Sequence, residues 1–145
     1  RFVQRMMDAM FNTVSGKEIG ILGFAFKKDT NDARESPAIA ICLKLLEERA
    51  TLRIYDPQVK KETILSALGL LANDDRITFC KSAIDATSGT HAVALLTEWE
   101  EFKSLNFNEI YSQMEKPAYF FDGRNLIEPK IIKDAGFRLY RIGKK

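Results

Sequence analysis

Between Ile19 and Pro37 the chain reads IGILGFAFKKDTNDARESP, an apolar strand that breaks at two glycines into a charged loop and then opens a helix. Ile19, Ile21 and Leu22 supply a short buried strand, while Gly20 and Gly23 allow a tight turn and close approach of the backbone to a bound group. Ser36 suits the N-cap and Pro37 the first helical position, where the missing N–H of proline is an orphan anyway. The helix then turns its free amides and positive dipole end back toward the loop, where Lys27, Lys28 and Arg34 place cations fit for a diphosphate. The spacing is GxxG rather than the full GxGxxG fingerprint, and acidic residues interrupt the cations.

From Lys17 onward strand and helix patterns alternate. Strands are expected near 18–23, 51–55, 76–80, 91–96, 118–122 and 137–141, and helices near 37–49, 60–68, 82–88, 99–104, 107–114 and 128–135. Six short apolar strands separated by helices call for a mostly parallel sheet covered on both faces. Right-handed crossovers make it a doubly wound, Rossmann-like α/β fold with strand order 3-2-1-4-5-6. Upstream, FVQRMMDAMFNTV at 2–14 places Phe2, Met6, Met7, Met10 and Phe11 at helical spacing. Residues 1–16 therefore read as the end of a helix arriving from elsewhere, with part of its apolar face exposed or frayed, and 17–145 as the domain itself.

A chain of 145 residues fits one domain with a real core, and no apolar run approaches the span of a bilayer. The net charge of +2 comes from 22 basic and 20 acidic residues spread along the chain, which disfavours nucleic acid as a partner. Cys42 and Cys80 lack a CxxC or His-rich context and read as reduced thiols of a cytoplasmic protein. The start at Arg1, without methionine, is read as that of a fragment.

Four segments, GFAFKKDTNDARESPA, IYDPQV (54–59), HAVALLTEW (91–99) and KPAYFFDGRN (116–125), together resemble the C-terminal, UDP-binding domain of the UDP-glucose 6-dehydrogenases. The resemblance runs from FNTVSGK at 11–17 to the IGKK end, and residues 1–16 correspond to the helix that joins the domains in that family. It implies a full-length enzyme, a homo-oligomer, that oxidises UDP-glucose to UDP-glucuronate with two NAD. The cofactor would be held mainly by an N-terminal domain. Catalysis there uses a cysteine in a GGSCFPKD-like motif, which this sequence lacks, so neither Cys42 nor Cys80 takes that role and the chain alone should be inactive. A UDP-hexosamine or GDP-mannose dehydrogenase domain is the related alternative, disfavoured by FKKDT and FDGRN. A non-catalytic nucleotide-binding or assembly module is the alternative from another class.

The resemblance also implies site residues, each with an ordinary structural reading beside it. Phe26 and Lys27 would contact the UDP-sugar, the ammonium acting as a point charge for phosphate beside an aromatic wall; on pattern alone Lys27 is a solvated loop cation. Lys28 reads as a partner of Asp29 or Asp32. Arg34 would reach the NAD, its planar fork suited to a pyrophosphate, or else lock onto Asp32 or Glu35. Arg124 of FDGRN would bind the substrate, or else serve as a turn cation after Gly123. Asp122 orients that turn or Arg124, and Asn125, where many relatives carry a second arginine or another residue, stays open. Asp56, at the end of the second strand, holds either a ribose or its own turn, and is not assigned to a cofactor. His91 reads as structural, and Trp99 of TEW as a core or interface anchor.

Overall fold

The computed structural model describes residues 1–142, so the last three residues of the expected 17–145 domain lie outside the described residues. An N-terminal helix α1 (Phe2–Ala9) precedes a regular alternation of strand and helix. In chain order these are β1 (Glu18–Leu22), α2 (Pro37–Glu47), β2 (Thr51–Tyr55), α3 (Lys61–Leu68), β3 (Ile77–Phe79), α4 (Ala83–Thr87) and β4 (Ala92–Leu95). A 3-10 turn (Glu100–Ser104), α5 (Phe107–Ser112), β5 (Tyr119–Asp122), α6 (Pro129–Ala135) and β6 (Arg138–Arg141) complete the chain. All pairings are parallel, and the strand order is β3-β2-β1-β4-β5-β6, the doubly wound order expected from the alternation.

Burial explains why the central strands read as uninterrupted apolar runs. Every residue of β4 and β5, and all of β1 after Glu18, is buried, so both faces of the middle of the sheet are covered. Toward the edges, β2 and β6 alternate instead, and β3 shortens to three residues. The cap read from Ser36 and Pro37 is present. The Ser36 hydroxyl accepts from the Ala38 amide at 3.1 Å, and Pro37 opens α2.

Two expectations change. The N-terminal helix stops at Ala9, because Phe11 and Asn12 both adopt positive φ (63° and 66°), which no α-helix tolerates. Its apolar face is not left open: Val3, Met6 and Met10 are buried in the core, and the Phe2 ring meets Phe121 of β5 edge-on. Only Phe11, past the helix, stands out in solvent. The glycines of the opening motif also meet other parts of the chain at close range. A Cβ on Gly20 would lie 2.7 Å from the Ala86 carbonyl, so its absence lets α4 settle on β1. Gly23 does turn the backbone (φ 95°), and a Cβ there would come within 2.5 Å of the Thr97 side chain.

Candidate functional site

Parallel sheets place their ligands beyond the carboxyl ends of the strands, where the strand order reverses between β1 and β4. Four connections meet there, and polar contacts tie them to one another. Asp56, which directly follows β2, is the hub. Its Oδ2 accepts from the Phe24 and Ala25 amides (2.7 and 2.9 Å) and from Trp99 Nε1 (3.1 Å), and its Oδ1 accepts from the Gln58 and Val59 amides (2.8 and 2.9 Å). This carboxylate is fully engaged by its own chain. That decides between the two roles open to Asp56 in favour of holding the turn.

The TEW segment stitches three loops in three successive residues. The Thr97 hydroxyl donates to the Ala25 carbonyl at 2.8 Å, Glu98 pairs with Arg124, and Trp99 reaches Asp56. Trp99 is thus a buried anchor, as its size suggests. The parts of Thr97 and Glu98 are not evident from the sequence pattern. The one available signal is that two polar residues follow directly on the apolar run AVALL, at the carboxyl end of a central strand.

Arg124 carries the clearest geometry. Its Nε donates to the Leu96 carbonyl (2.9 Å), its Nη2 donates to the Phe26 carbonyl (2.8 Å), and its Nη1 lies 3.1 Å from Glu98 Oε1. The guanidinium therefore clamps the loop after β1 to the segment after β4, and the loops after β1 and β5 open on the same edge. Asp122, 1 % exposed, accepts from the Arg124, Leu126 and Ile127 amides and so fixes the turn from which Arg124 projects. Phe26 is 45 % exposed and Lys27 is exposed beside it. Among the described residues neither Lys27 nor Lys28 enters an ion pair, so the partnership expected for Lys28 with Asp29 or Asp32 does not form. The free amide of Asn125 donates to the Ile142 carbonyl at 3.2 Å, a contact to the following strand's end.

Arg34 is elsewhere. Its fork grips Asp32, with Nε and Nη2 donating at 3.0 and 2.9 Å, and its side chain is 88 % exposed. The arginine beside it holds the Asp32 carboxyl at about 2, well below the ordinary range. Both residues line an open cleft of about 980 Å³ between the charged loop and α3, with Glu35 and Glu62 among its walls. Three carboxylates there make it a poor receptor for a diphosphate, whatever its size. A second opening of about 530 Å³ involves Asp29, Asn31, Gln58 and Trp99, nearer the strand ends. Neither contains Phe26, Lys27 or Arg124.

The remaining candidates resolve as structural. His91 Nδ1 accepts from the Glu18 amide at 3.0 Å, which fixes the ring against β1. Burial pushes the Cys42 thiol up to about 12 and the Cys80 thiol up to about 11, which disfavours the thiolate form of both at neutral pH. Among the described residues no cluster of His, Cys, Asp and Glu could hold a metal ion, and no helix is long and apolar enough to cross a membrane.

Residues 20–129, which span every loop of this edge, match the model of the UDP-glucose/GDP-mannose dehydrogenase family, UDP binding domain. The chain belongs to that family. UDP-glucose 6-dehydrogenase 5 of Oryza sativa subsp. japonica and UDP-glucose 6-dehydrogenase 1 of Arabidopsis thaliana are each 45 % identical to it, over 99 % of this chain and 33 % of the relative. The chain thus spans about a third of the curated relatives it matches. Among solved structures, UDP-D-ManNAc dehydrogenase from Pyrococcus horikoshii superposes with a TM-score of 0.73 at 26 % identity, covering 98 % of this chain and 29 % of that one. A UDP-glucose dehydrogenase from Pyrobaculum islandicum shares the fold (TM-score 0.69, 22 % identity, 95 % of this chain and 29 % of that one).

Proposed function

We propose that this UDP-binding domain serves a UDP-glucose 6-dehydrogenase, holding UDP-glucose through Phe26, Lys27 and Arg124 while oxidation to UDP-glucuronate takes place on other parts of a longer, cytoplasmic, homo-oligomeric enzyme. The observation that carries the reading is the Arg124 clamp. A guanidinium fastened to the Phe26 carbonyl at 2.8 Å brings the substrate cation of one loop to the aromatic–lysine pair of another. Arg124 has five N–H donors and directs three of its nitrogens at the protein with one contact each, so one N–H on each of Nη1 and Nη2 is left for phosphate oxygens. Lys27, which has no ion-pair partner among the described residues, adds a second positive charge.

NAD is a different matter. A dinucleotide needs a glycine cradle for its pyrophosphate and a carboxylate for its ribose. Here Gly23 is filled by Thr97 and the Asp56 carboxylate is used by five protein donors. This chain's residues do not fit a complete NAD site. Among the described residues Arg34 is suited to reach a cofactor held elsewhere, because its fork is exposed and would leave Asp32 and the acidic cleft to meet a pyrophosphate outside it.

The role of UDP in such an enzyme is remote binding: contacts to the nucleotide position the sugar for reaction on another domain. Calorimetric titration of UDP into the chain tests the reading. Saturable binding that is weakened about ten- to a hundredfold in Arg124→Ala and also weakened in Lys27→Ala supports it. Equal affinity in the wild type and both variants overturns it.

A further inference from the structure

We propose that Glu98 is a positioning residue for Arg124, holding the guanidinium in the one orientation that receives an anionic ligand. The inference rests on the reading of Arg124 as a nucleotide contact, and it assigns the neighbouring carboxylate a part in that site. Glu98 Oε1 is buried and makes no aligned hydrogen bond, and what faces it is Arg124 Nη1 at 3.1 Å. A carboxylate oxygen taken out of water needs an opposite charge, and this one has Arg124. The dependence runs both ways. The Leu96 and Phe26 carbonyls accept from Nε and Nη2, and the Glu98 carboxylate holds Nη1 as an ion pair, so that the fork is set by two acceptors and one counter-charge on two separate segments.

Carboxylates are ordinarily excluded from a diphosphate site, because they repel the ligand. Glu98 sits beside the proposed phosphate cation nonetheless, so two effects of opposite sign compete there. Its charge opposes the incoming anion, while its grip removes the entropy that Arg124 would otherwise lose on binding. The side chains of the pair are about one-quarter and one-third exposed (26 % and 30 %), so water weakens the repulsion of a ligand bound beyond the guanidinium more than it weakens the direct contact of Glu98 with Arg124 at 3.1 Å. Positioning therefore prevails.

Three variants of the chain separate these effects by UDP calorimetry. Glu98→Ala should weaken UDP about fivefold, the scale of ordering one freed long side chain. Glu98→Gln, which keeps an acceptor and removes the charge, should bind within about twofold of wild type. In an Arg124→Ala background Glu98→Ala should have no further effect, since the two act as one unit. Tighter binding in Glu98→Ala, or an equal loss with and without Arg124, would overturn the proposal. A readout without ligand keeps it distinct from the nucleotide reading. The Nε–H proton of Arg124, identified as the NMR signal lost in Arg124→Lys, should exchange slowly in the wild type and measurably faster in Glu98→Ala. If UDP does not bind the wild-type chain, the nucleotide reading fails while the exchange difference still supports positioning. An exchange rate unchanged by Glu98→Ala sinks the positioning role in either case.

Discussion

Arg124 and Arg34 stand at the carboxyl edge of the same sheet, and their sequence contexts, FDGRN and DARES, make both look like phosphate ligands. The fold treats them oppositely. Arg124 is anchored to residues up to 98 positions away and ties two loops together, whereas Arg34 closes on a carboxylate two residues upstream and stays in solvent. An arginine held by distant backbone carbonyls is preorganised and can spend its remaining donors on a ligand. One held by a neighbouring side chain must first give that neighbour up. Preorganised groups bind with less entropy lost, which supports the proposed nucleotide contact at Arg124, and any role of Arg34 requires a partner that competes with Asp32.

The largest effect that could break this comparison lies beneath both arginines, at Asp56. Asp56→Ala strands four backbone amides and the Trp99 indole N–H at once, so the loop that presents Phe26 and Lys27 loses its footing. Some of those donors regain water, and a loss of about 3–5 kcal/mol of stability is expected, read as a shift of the urea midpoint. A loss under 1 kcal/mol would show the loops to be held mainly by packing. Next comes Arg124→Ala, which leaves the Glu98 oxygen buried without its counter-charge and should cost about 1–3 kcal/mol before any ligand is added. UDP affinity should fall about ten- to a hundredfold in the same variant, the worth of a charge-assisted contact.

Lys27→Ala sharpens the comparison from the other side. With no ion pair to lose among the described residues, it should leave the denaturation midpoint where it is and still weaken UDP, also by about tenfold. Arg34→Ala should leave UDP affinity of the chain unchanged. Equal loss of UDP affinity in the two variants would show the whole charged loop, rather than its first half, to face the nucleotide.

How far the sequence foretold this arrangement depends on the range of the interactions involved. Strand positions and order were legible because a sheet buried on both faces demands apolar runs, and AVAL and YFFD supply them. The start of α2 was legible because capping is local: Ser36 acts on Ala38. The convergence of the loops after β1 and β5 followed from topology alone. The hub at Asp56 did not, since the contacts that make it more than a local turn are to backbone amides 31 and 32 residues away and to Trp99, and an amide has no signature in a sequence. Gly20 was misjudged for the same reason. The atom that needs its missing Cβ is the Ala86 carbonyl, on a helix that only the fold brings near. The end of α1 was set by the positive φ at Phe11 and Asn12, which the apolar periodicity through Phe11 conceals.

The smallest expected effect concerns the grip on Arg34 itself. Asp32 titrates at about 2 rather than 3.8, chiefly because the Arg34 side chain bonds its charged form, and next because the Arg34 amide does so too. A carboxyl whose value is depressed in the folded state favours folding above its ordinary value and loses that contribution as the pH falls through about 2. Because the pair is fully solvated, water and salt screen it, and the effect on acid stability should be too small to move the unfolding curve. It should be plain in the titration of Asp32 alone, followed through its carboxyl carbon by NMR. Arg34→Ala removes the side-chain contact and keeps the amide, so the titration should rise toward 3.8 without reaching it. About 1 M salt, where the Debye length is about 3 Å, should move the wild type the same way. UDP added to the wild type should not shift it, and a compound carrying a free pyrophosphate that does bind Arg34 should raise it. A UDP-induced shift of Asp32 comparable to that from Arg34→Ala would place the nucleotide at Arg34 and reverse the assignment of the two arginines.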